Sequence, residues 1–393
     1  MISSVQEQHT DVIYDIVAEA SKRGSQLQYI GYHNGRAGLA LFYSHVAHFT
    51  GEPKYIQRAN NVINEIMANL STSLYKGYAS FFYRDLAQLG MVIRYMEQAG
   101  QLNINTNDLL HTLDSVLHRF MLNKIAEGDL YQITGALAAG HYFLSRTDQL
   151  PEASLYLQQL IDGIERTART DREGNYYWQW PHYKCDGVYL GLHCGSAMII
   201  NFLAGIKNYV DDDAQIKHII EKASSYIVAQ KRSFSKSHFP IKAQDPIKIN
   251  SLLLGDLGIG YGLLRASQLL NNSTLEEEAL TVLYDCCKRQ TAEETLIHDA
   301  SIFYGASGTA LLFERIFDLT HQYCFSQSAQ YWHQQVPAFR HPEHPHAGFK
   351  AIFNQKYPYT NICFNEGILG IGIALMRNLT PFTPSLNSLL GYL

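Results

Sequence analysis

The stretch Ser251–Leu264, SLLLGDLGIGYGLL, decides the fold. A short approach ends in GxxG, here Gly255 and Gly258, and the apolar run that follows is too long for an ordinary strand. A small-residue turn feeding a buried helix has this pattern. The same unit appears as NGRAGLALF with Gly35 and Gly38, YGASGTALLF with Gly305 and Gly308, and EGILGIGIALM with Gly367 and Gly370. Three weaker copies fill the gaps: Asp85 and Gln88 in RDLAQLGMVI, Gly135 and Ala138 in TGALAAGHYF, and Gly195 and Met198 in CGSAMIINFL.

The first positions of these seven units lie about 50 to 60 residues apart, the self-similarity of a repeat architecture. Between the apolar runs lie one-sided helices. Tyr55, Ile56, Ala59, Val62, Ile63 and Met67 recur at three- and four-residue steps within Lys54–Asn69. Leu109, Leu113, Val116 and Phe120 do the same after a plausible N-cap at Asn107, and Leu275, Ala279, Val282 and Cys286 follow a Ser273–Glu276 capping box. Wholly apolar helices alternating with one-sided ones, seven times over, predict an all-α fold, an α/α toroid with a double ring of seven inner and seven outer helices. Residues 1–30 read as a lead-in helix, centred on Val12–Glu19, and a polar link. A helix that is apolar all round cannot be buried by its own unit, so the expectation is one domain over residues 1–393.

Composition narrows the function. The chain of 393 residues is 46% hydrophobic, and its net charge of −5 comes from interspersed signs without a like-charge block. Nucleic acid is therefore not expected as a partner. The apolar runs stop near about ten residues, short of a membrane span. The N-terminal MISSVQEQHTDVIYD lacks the basic and apolar regions of a secretory signal. Six scattered cysteines form no disulfide framework, so a cytoplasmic setting is expected. Three longer irregular stretches, at 171–186, 231–250 and 331–361, precede the fourth, fifth and seventh units and would frame the mouth of a toroid.

Seven GxxG-helix units, with SLLLGDLGIG in the fifth and IFYGASG in the sixth, resemble the LanC family of lanthipeptide cyclases over essentially the whole chain. The resemblance implies an α/α toroid that holds one zinc ion and adds a peptide cysteine to a dehydrated residue, the metal supplying the thiolate. It also implies two cysteines and a histidine as ligands, in a WCxG phrase in the fifth unit and a CHG phrase in the sixth. Here Leu253 stands where the first cysteine belongs, and Phe303 and Tyr304 stand for the second cysteine and the histidine. The family's aspartate in the third unit matches Tyr131, with Asp129 near. Its histidine in the fourth matches Cys194, with His193 before it, and its arginine before the first zinc cysteine matches Ile249, with Lys248 adjacent. No metal or other cofactor is expected.

Five residues are candidates for chemistry. His193 and Cys194 place an imidazole beside a thiol, the parts of a nucleophile, against the plainer reading of a buried cysteine. His298 and Asp299 could orient one another as base and partner, or Asp299 could cap the next segment. Tyr304 puts a phenol where the family holds a metal ligand. For peptide binding the candidates are Tyr177, Trp178, Trp180 and Tyr183, aromatics in a polar stretch, together with Asp256 of the GDLGIG phrase. His341, His344 and His346 in HPEHPHAGF match no standard ligand spacing and read as loop histidines.

The expectation is a LanC-like protein of lanthipeptide biosynthesis without zinc-dependent cyclase activity, binding or scaffolding a precursor peptide or its dehydratase-like modifying enzymes. The alternative is a metal-free enzyme acting on a dehydrated peptide. A carbohydrate-active toroid needs paired carboxylates. The turns offer Asp85, Asp256, Asp299 and Glu366, all from separate units.

Overall fold

The computed structural model describes residues 4–76, 79–102, 106–179, 187–210, 213–232, 236–245 and 251–393. Its helices are α1 (Ser4–Arg23), α2 (Arg36–Thr50), α3 (Pro53–Ala68), α4 (Ala79–Gln98), α5 (Thr106–Ala126), α6 (Ala136–Leu144), α7 (Ala153–Thr167), α8 (Ser196–Ile206), α9 (Asp213–Ala229), α10 (Gly258–Leu270), α11 (Ser273–Lys288), α12 (Ala292–Thr295), α13 (Ala306–Thr320), α14 (Tyr323–Gln335), α15 (Ile368–Leu379) and α16 (Asn387–Leu390). The single sheet among the described residues is a two-stranded hairpin of β1 (Arg169–Thr170) and β2 (Tyr176–Tyr177). The lead-in helix is longer than Val12–Glu19, because Val12, Ile13, Ile16, Val17 and Ala20 continue one buried stripe along it.

The chain forms two compact units: residues 1–113 with 297–386, and residues 114–296 with 387–393. In the first, α2 packs on α3, α4 and α15, α1 lies on α15, and α13 packs on α14 and α15. In the second, α8 packs on α9 and α10, α10 on α11, and α6 on α7. The two kinds of helix are distinct. Every residue of α2 from Ala37 to Ala47 is buried, as is every residue of α15 from Ile368 to Met376. By contrast α3 buries Tyr55, Ala59, Val62, Ile63 and Ile66 and leaves the other face in water.

One turn recurs ahead of the fully buried helices. Gly35, Gly135, Gly195, Gly305 and Gly367 are each the N-cap residue, with φ between −106° and −140° and ψ near −165°. That is extended backbone, open to any residue, so the glycine is required for space. A Cβ would meet backbone atoms of Leu190 at 2.5 Å from Gly195 and of Ile362 at 2.5 Å from Gly367; from Gly305 it would meet the backbone of Asp299. The close approach lets the residue after the glycine donate to the carbonyl seven residues before its own position. Ala136 donates to Asp129 at 2.9 Å, Ala306 to Asp299 at 3.0 Å and Ile368 to Asn361 at 3.0 Å. Orphan N–H groups at the helix start are thereby satisfied without a capping side chain.

Two units depart from this pattern. The fifth enters α10 through a π-type turn at Leu253–Leu257, with Gly255 at φ −101° and ψ −118°. The second has no turn, since α4 begins at Ala79 and Asp85 and Gln88 lie within it. The expected capping box at Ser273 is also displaced: Ser273 is the first helical residue, and Asn272 caps α11 by accepting from the N–H of Leu275 at 3.0 Å. Thr291 and Glu294 form a capping box instead, at the start of α12.

Gly367→Ala is expected to destabilise the protein by more than about 2 kcal/mol, since backbone must move to admit the methyl group. Equilibrium denaturation of both proteins checks this, and matching curves would remove the spatial argument for the turn.

Candidate functional site

In the first unit, the turns before α13, α15 and α2 are joined edge to edge by their backbone. The N–H of Phe303 donates to the carbonyl of Asn365 at 2.9 Å, and the N–H of Asn365 donates to the carbonyl of His33 at 3.1 Å. Each of these residues stands two before its glycine. The next rung would fall to the second repeat, which has no turn. There the Gln88 side chain substitutes: its Oε1 accepts from the N–H of His33 at 3.1 Å, and its Nε2 lies 2.9 Å from His33 Nδ1. Beside it, Asp85 is buried between Tyr75, whose hydroxyl donates to Oδ2 at 2.6 Å, and Arg84, whose Nε donates to Oδ1 at 2.7 Å. The Tyr75 hydroxyl in turn accepts from the N–H of Ile30 at 3.0 Å. A Cβ on Gly31 would strike both Gln88 and Asp85, so this glycine admits the substitute.

The candidates on these turns divide. Tyr304 is half-buried, with its ring 4.8 Å from Phe303 and 4.4 Å from Phe353, and its N–H donates to Ser301 Oγ at 3.2 Å. Asp299 is buried; Oδ1 accepts from the N–H of Ser301 at 3.0 Å and from its hydroxyl at 2.7 Å, and Oδ2 accepts from the N–H of Ile352 at 3.1 Å. His298 is exposed, and among the described residues no hydrogen bond joins it to Asp299. The base-and-partner arrangement is therefore not formed. Asp299 instead organises the turn, as a side chain that bonds to backbone two residues on.

In the second unit, Gln132 Nε2 donates to the carbonyl of His193 at 2.8 Å, tying the third turn to the fourth. The fourth adjoins the fifth, where a Cβ on Gly258 would lie 3.1 Å from Leu192. His193 and Cys194 are half-buried in that turn. Burial pushes the His193 imidazole down to about 4, so it is neutral at pH 7 and a weak base.

Asp256 is 1% exposed and accepts from the N–H groups of His238 at 2.9 Å and Phe239 at 3.0 Å. It also pairs with Arg289 at 2.8 Å, which in turn pairs with Asp285 at 2.6 Å. The carboxylate thus fastens residues 238–239 to the end of α11. The irregular stretch expected from 171 begins as the β1–β2 hairpin, turned at Asp171 and Gly174. Tyr177 stacks on Tyr226 of α9 at 4.9 Å. Trp178 is 3% exposed and its indole N–H donates to Ile164 of α7 at 2.9 Å. Trp178 therefore holds the hairpin on its helices and offers a peptide no surface. Trp180, Tyr183, Lys248 and Ile249 lie outside the described residues.

His341, His344 and His346 lie on the loop facing α1, where Arg340 pairs with Asp15 at 2.6 Å and His346 Nδ1 stands 3.9 Å from Glu19. Among the described residues no group of three or more His, Cys, Asp or Glu side chains is placed to hold a metal ion. Nor is any helix among them long and apolar enough to cross a membrane.

Sequence reading named Gln88 as a position of a degenerate unit and Glu366 as a turn carboxylate, but gave neither a role. A glutamine at the fourth position of a degenerate unit, inside an otherwise apolar helix run, was the available signal for Gln88. For Glu366, buried beside the seventh glycine, the signal was a charge at the start of the most apolar run in the C-terminal third of the chain.

Helices of two kinds joined by glycine turns define an all-α protein, and comparison with solved structures gives the class. The chain shares the α/α toroid fold of nisin cyclase, with a TM-score of 0.76 over 98% of this chain and 97% of that one, at 16% sequence identity. Cellobiose 2-epimerase from Bacillus thermoamylovorans B4167 aligns with a TM-score of 0.48 and 12% identity over 76% of this chain and 87% of that one. No curated protein sequence matches. Residues 29–390 match the family described as lanthionine synthetase C-like protein, and the chain belongs to that family.

Gln88→Ala would leave the half-buried N–H of His33 without its acceptor, at a cost of about 1 kcal/mol. Chemical denaturation and amide exchange at His33 measure it. Unchanged protection at that amide would show that the side chain is no substitute for the missing turn.

Proposed function

We propose that this chain is a LanC-like protein of lanthipeptide biosynthesis that binds the precursor peptide without the family's zinc chemistry. The observation that carries this is the donor set at the positions where the resemblance assigns zinc. Leu253 and Phe303 have no donor atom, and Leu253 is fully buried. Tyr304 offers only a phenol, a poor zinc ligand at neutral pH, and its ring packs on Phe303 and Phe353. These residues do not fit zinc.

The turn framework that presents those positions is kept while their chemistry is replaced, as expected when recognition is selected and catalysis is not. The partner that fits is a precursor peptide, alone or with the dehydratase-like enzyme that modifies it. A second reading has one observation in its favour: His193 and Cys194 share a turn, with the imidazole neutral at pH 7. A neutral imidazole next to a thiol is the resting state of a base that could assist metal-free thioether formation.

The test pairs binding with chemistry. Protein dialysed against zinc is expected to retain no stoichiometric metal by elemental analysis, and to bind the precursor peptide in calorimetry. A dehydrated, cysteine-containing precursor should keep all its free thiols, counted by alkylation and mass spectrometry. Stoichiometric zinc overturns the reading, as does absence of binding to the precursor in both its unmodified and dehydrated forms. Loss of thiols that Cys194→Ala abolishes would establish the metal-free enzyme in its place.

A further inference from the structure

Exposed apolar side chains of the first unit gather on one stretch of loop ahead of the seventh turn. Ile352 is 41%, Phe353 46% and Tyr357 39% exposed, three large apolar residues within six positions. Elsewhere in the unit the strongly exposed ones, Tyr14 on α1 and Tyr323 on α14, stand on separate helices. Ring contacts extend the loop in both directions. The Phe353 ring lies 4.4 Å from that of Tyr304 in the sixth turn, and Tyr357 stacks on Tyr359 at 5.4 Å. Tyr359 in turn meets Tyr29 at 5.4 Å, and Tyr29 meets Tyr75 at 5.5 Å. An aromatic surface therefore runs from the sixth turn, across residues 352–359, to the approaches of the first and second repeats, with Tyr304, Tyr359 and Tyr29 half-buried along it.

Its charge is one-sided. Residues 24–51, 66–84, 300–313 and 344–365, which supply this face, contain no aspartate or glutamate. The carboxylates of the turns themselves, Asp85, Asp299 and Glu366, are buried. Lys76, Lys350 and Lys356 are exposed and form no ion pair among the described residues; the Lys356 ammonium lies 4.9 Å from the centre of the Tyr357 ring. In a chain of net charge −5, these stretches thus show water cations and aromatic rings. Apolar side chains held in water beside unpaired ammonium groups match a partner that brings aliphatic side chains and carboxylates together. The rings supply contact area with little entropy to lose, and the lysines select the segment that docks. A nucleic acid is held mainly through many phosphates, and an anionic membrane through a basic cluster, so three separated lysines suit neither as well.

We propose that this face docks an acidic segment of the precursor peptide, one in which glutamate or aspartate alternates with aliphatic residues. The inference rests on the peptide-binding reading above and adds what the peptide must carry. Carboxylates of the segment pair with Lys350 and Lys356, while its aliphatic side chains lie against Ile352, Phe353 and Tyr357. The segment needs neither a cysteine nor a dehydrated residue, so recognition here is separate from ring closure.

Fluorescence anisotropy of the full chain with a labelled octapeptide alternating glutamate and leucine tests this, with lysine–leucine and glutamate–serine octapeptides as controls. The acidic, apolar peptide is expected to bind saturably and more weakly as salt is raised, and the controls are expected not to bind. Lys350→Glu combined with Lys356→Glu should weaken it by about tenfold. Phe353→Ser should weaken it by about the same factor. Thermal melts of the variants should overlay that of wild type, since these side chains are exposed; if Phe353→Ser melts early, Ile352→Ser takes its place. The precursor peptide, titrated in parallel, separates this inference from the reading beneath it. Precursor that binds wild type and loses affinity in the same variants supports both. Precursor that binds wild type and variants alike overturns the docking site and leaves the peptide-binding reading intact. Precursor that does not bind, while the acidic octapeptide does, overturns that reading and the precursor as the source of the segment. The docking site also falls if the acidic octapeptide does not bind, if either control binds as tightly, or if a single-stranded oligonucleotide or phosphatidylserine vesicles bind more tightly.

Discussion

The structure depends on the closeness with which one backbone segment can pass another at a helix entrance. At Gly195 and Gly367 a single added carbon would sit 2.5 Å from a neighbouring backbone carbon, well inside any tolerable contact. That closeness allows an N–H of the helix's first turn to reach a carbonyl seven residues back. The helices entered this way are largely buried, and no side chain caps their first N–H groups. A helix such as α15, buried from Ile368 to Met376, would otherwise begin with unsatisfied donors in a dry environment. The absent side chain at the glycine and the absent polar face of the helix are therefore one requirement.

The same turns also carry the lateral order of the first unit. Phe303, Asn365 and His33, equivalent positions in three repeats, form a chain of backbone hydrogen bonds. Where the second repeat lacks a turn, the chain ends on a side-chain amide of the right length, from Gln88. A carboxamide carries both an acceptor and a donor, and both are engaged by His33. A backbone peptide group would have offered the same pair. Thus the repeat is degenerate in sequence at position 85 while its hydrogen-bonding role is preserved.

This explains how much could be read from the chain beforehand. The alternation of wholly apolar and one-sided helices was legible, because burial writes itself into residue type at helical spacing. The glycine turns were legible for the same reason, since only one residue type meets the spatial demand. Gln88 was not, because a substitute for backbone follows no spacing rule. Asn272 displaced Ser273 as the cap of α11 because either residue type serves, and local sequence does not say which takes the non-helical conformation. Among candidate site residues, those chosen for chemical type alone fared least well. Asp256 and Trp178 have polar atoms that the fold itself engages, and a sequence does not show which donors and acceptors are already taken.

The proposed absence of zinc at positions 253, 303 and 304, which rests on the resemblance, accords with this division of labour. A structural zinc site stabilises a fold because its ligands have few other interactions to hold them. Here the segments around those positions are held by backbone: Phe303 by its bond to Asn365, and Leu252, beside Leu253, by donation to the carbonyl of Thr295 at 2.8 Å. With the main chain fixed by hydrogen bonds and glycine contacts, the side chains there are free of a structural duty and can change without loss of the scaffold. Leu253 then adds buried apolar surface, worth roughly 1.5–3 kcal/mol for a fully buried side chain of its size, where a cysteine without metal would be a neutral thiol that buries less of it. For a chain that holds no ion there, as proposed above, leucine at position 253 is therefore the stabilising residue.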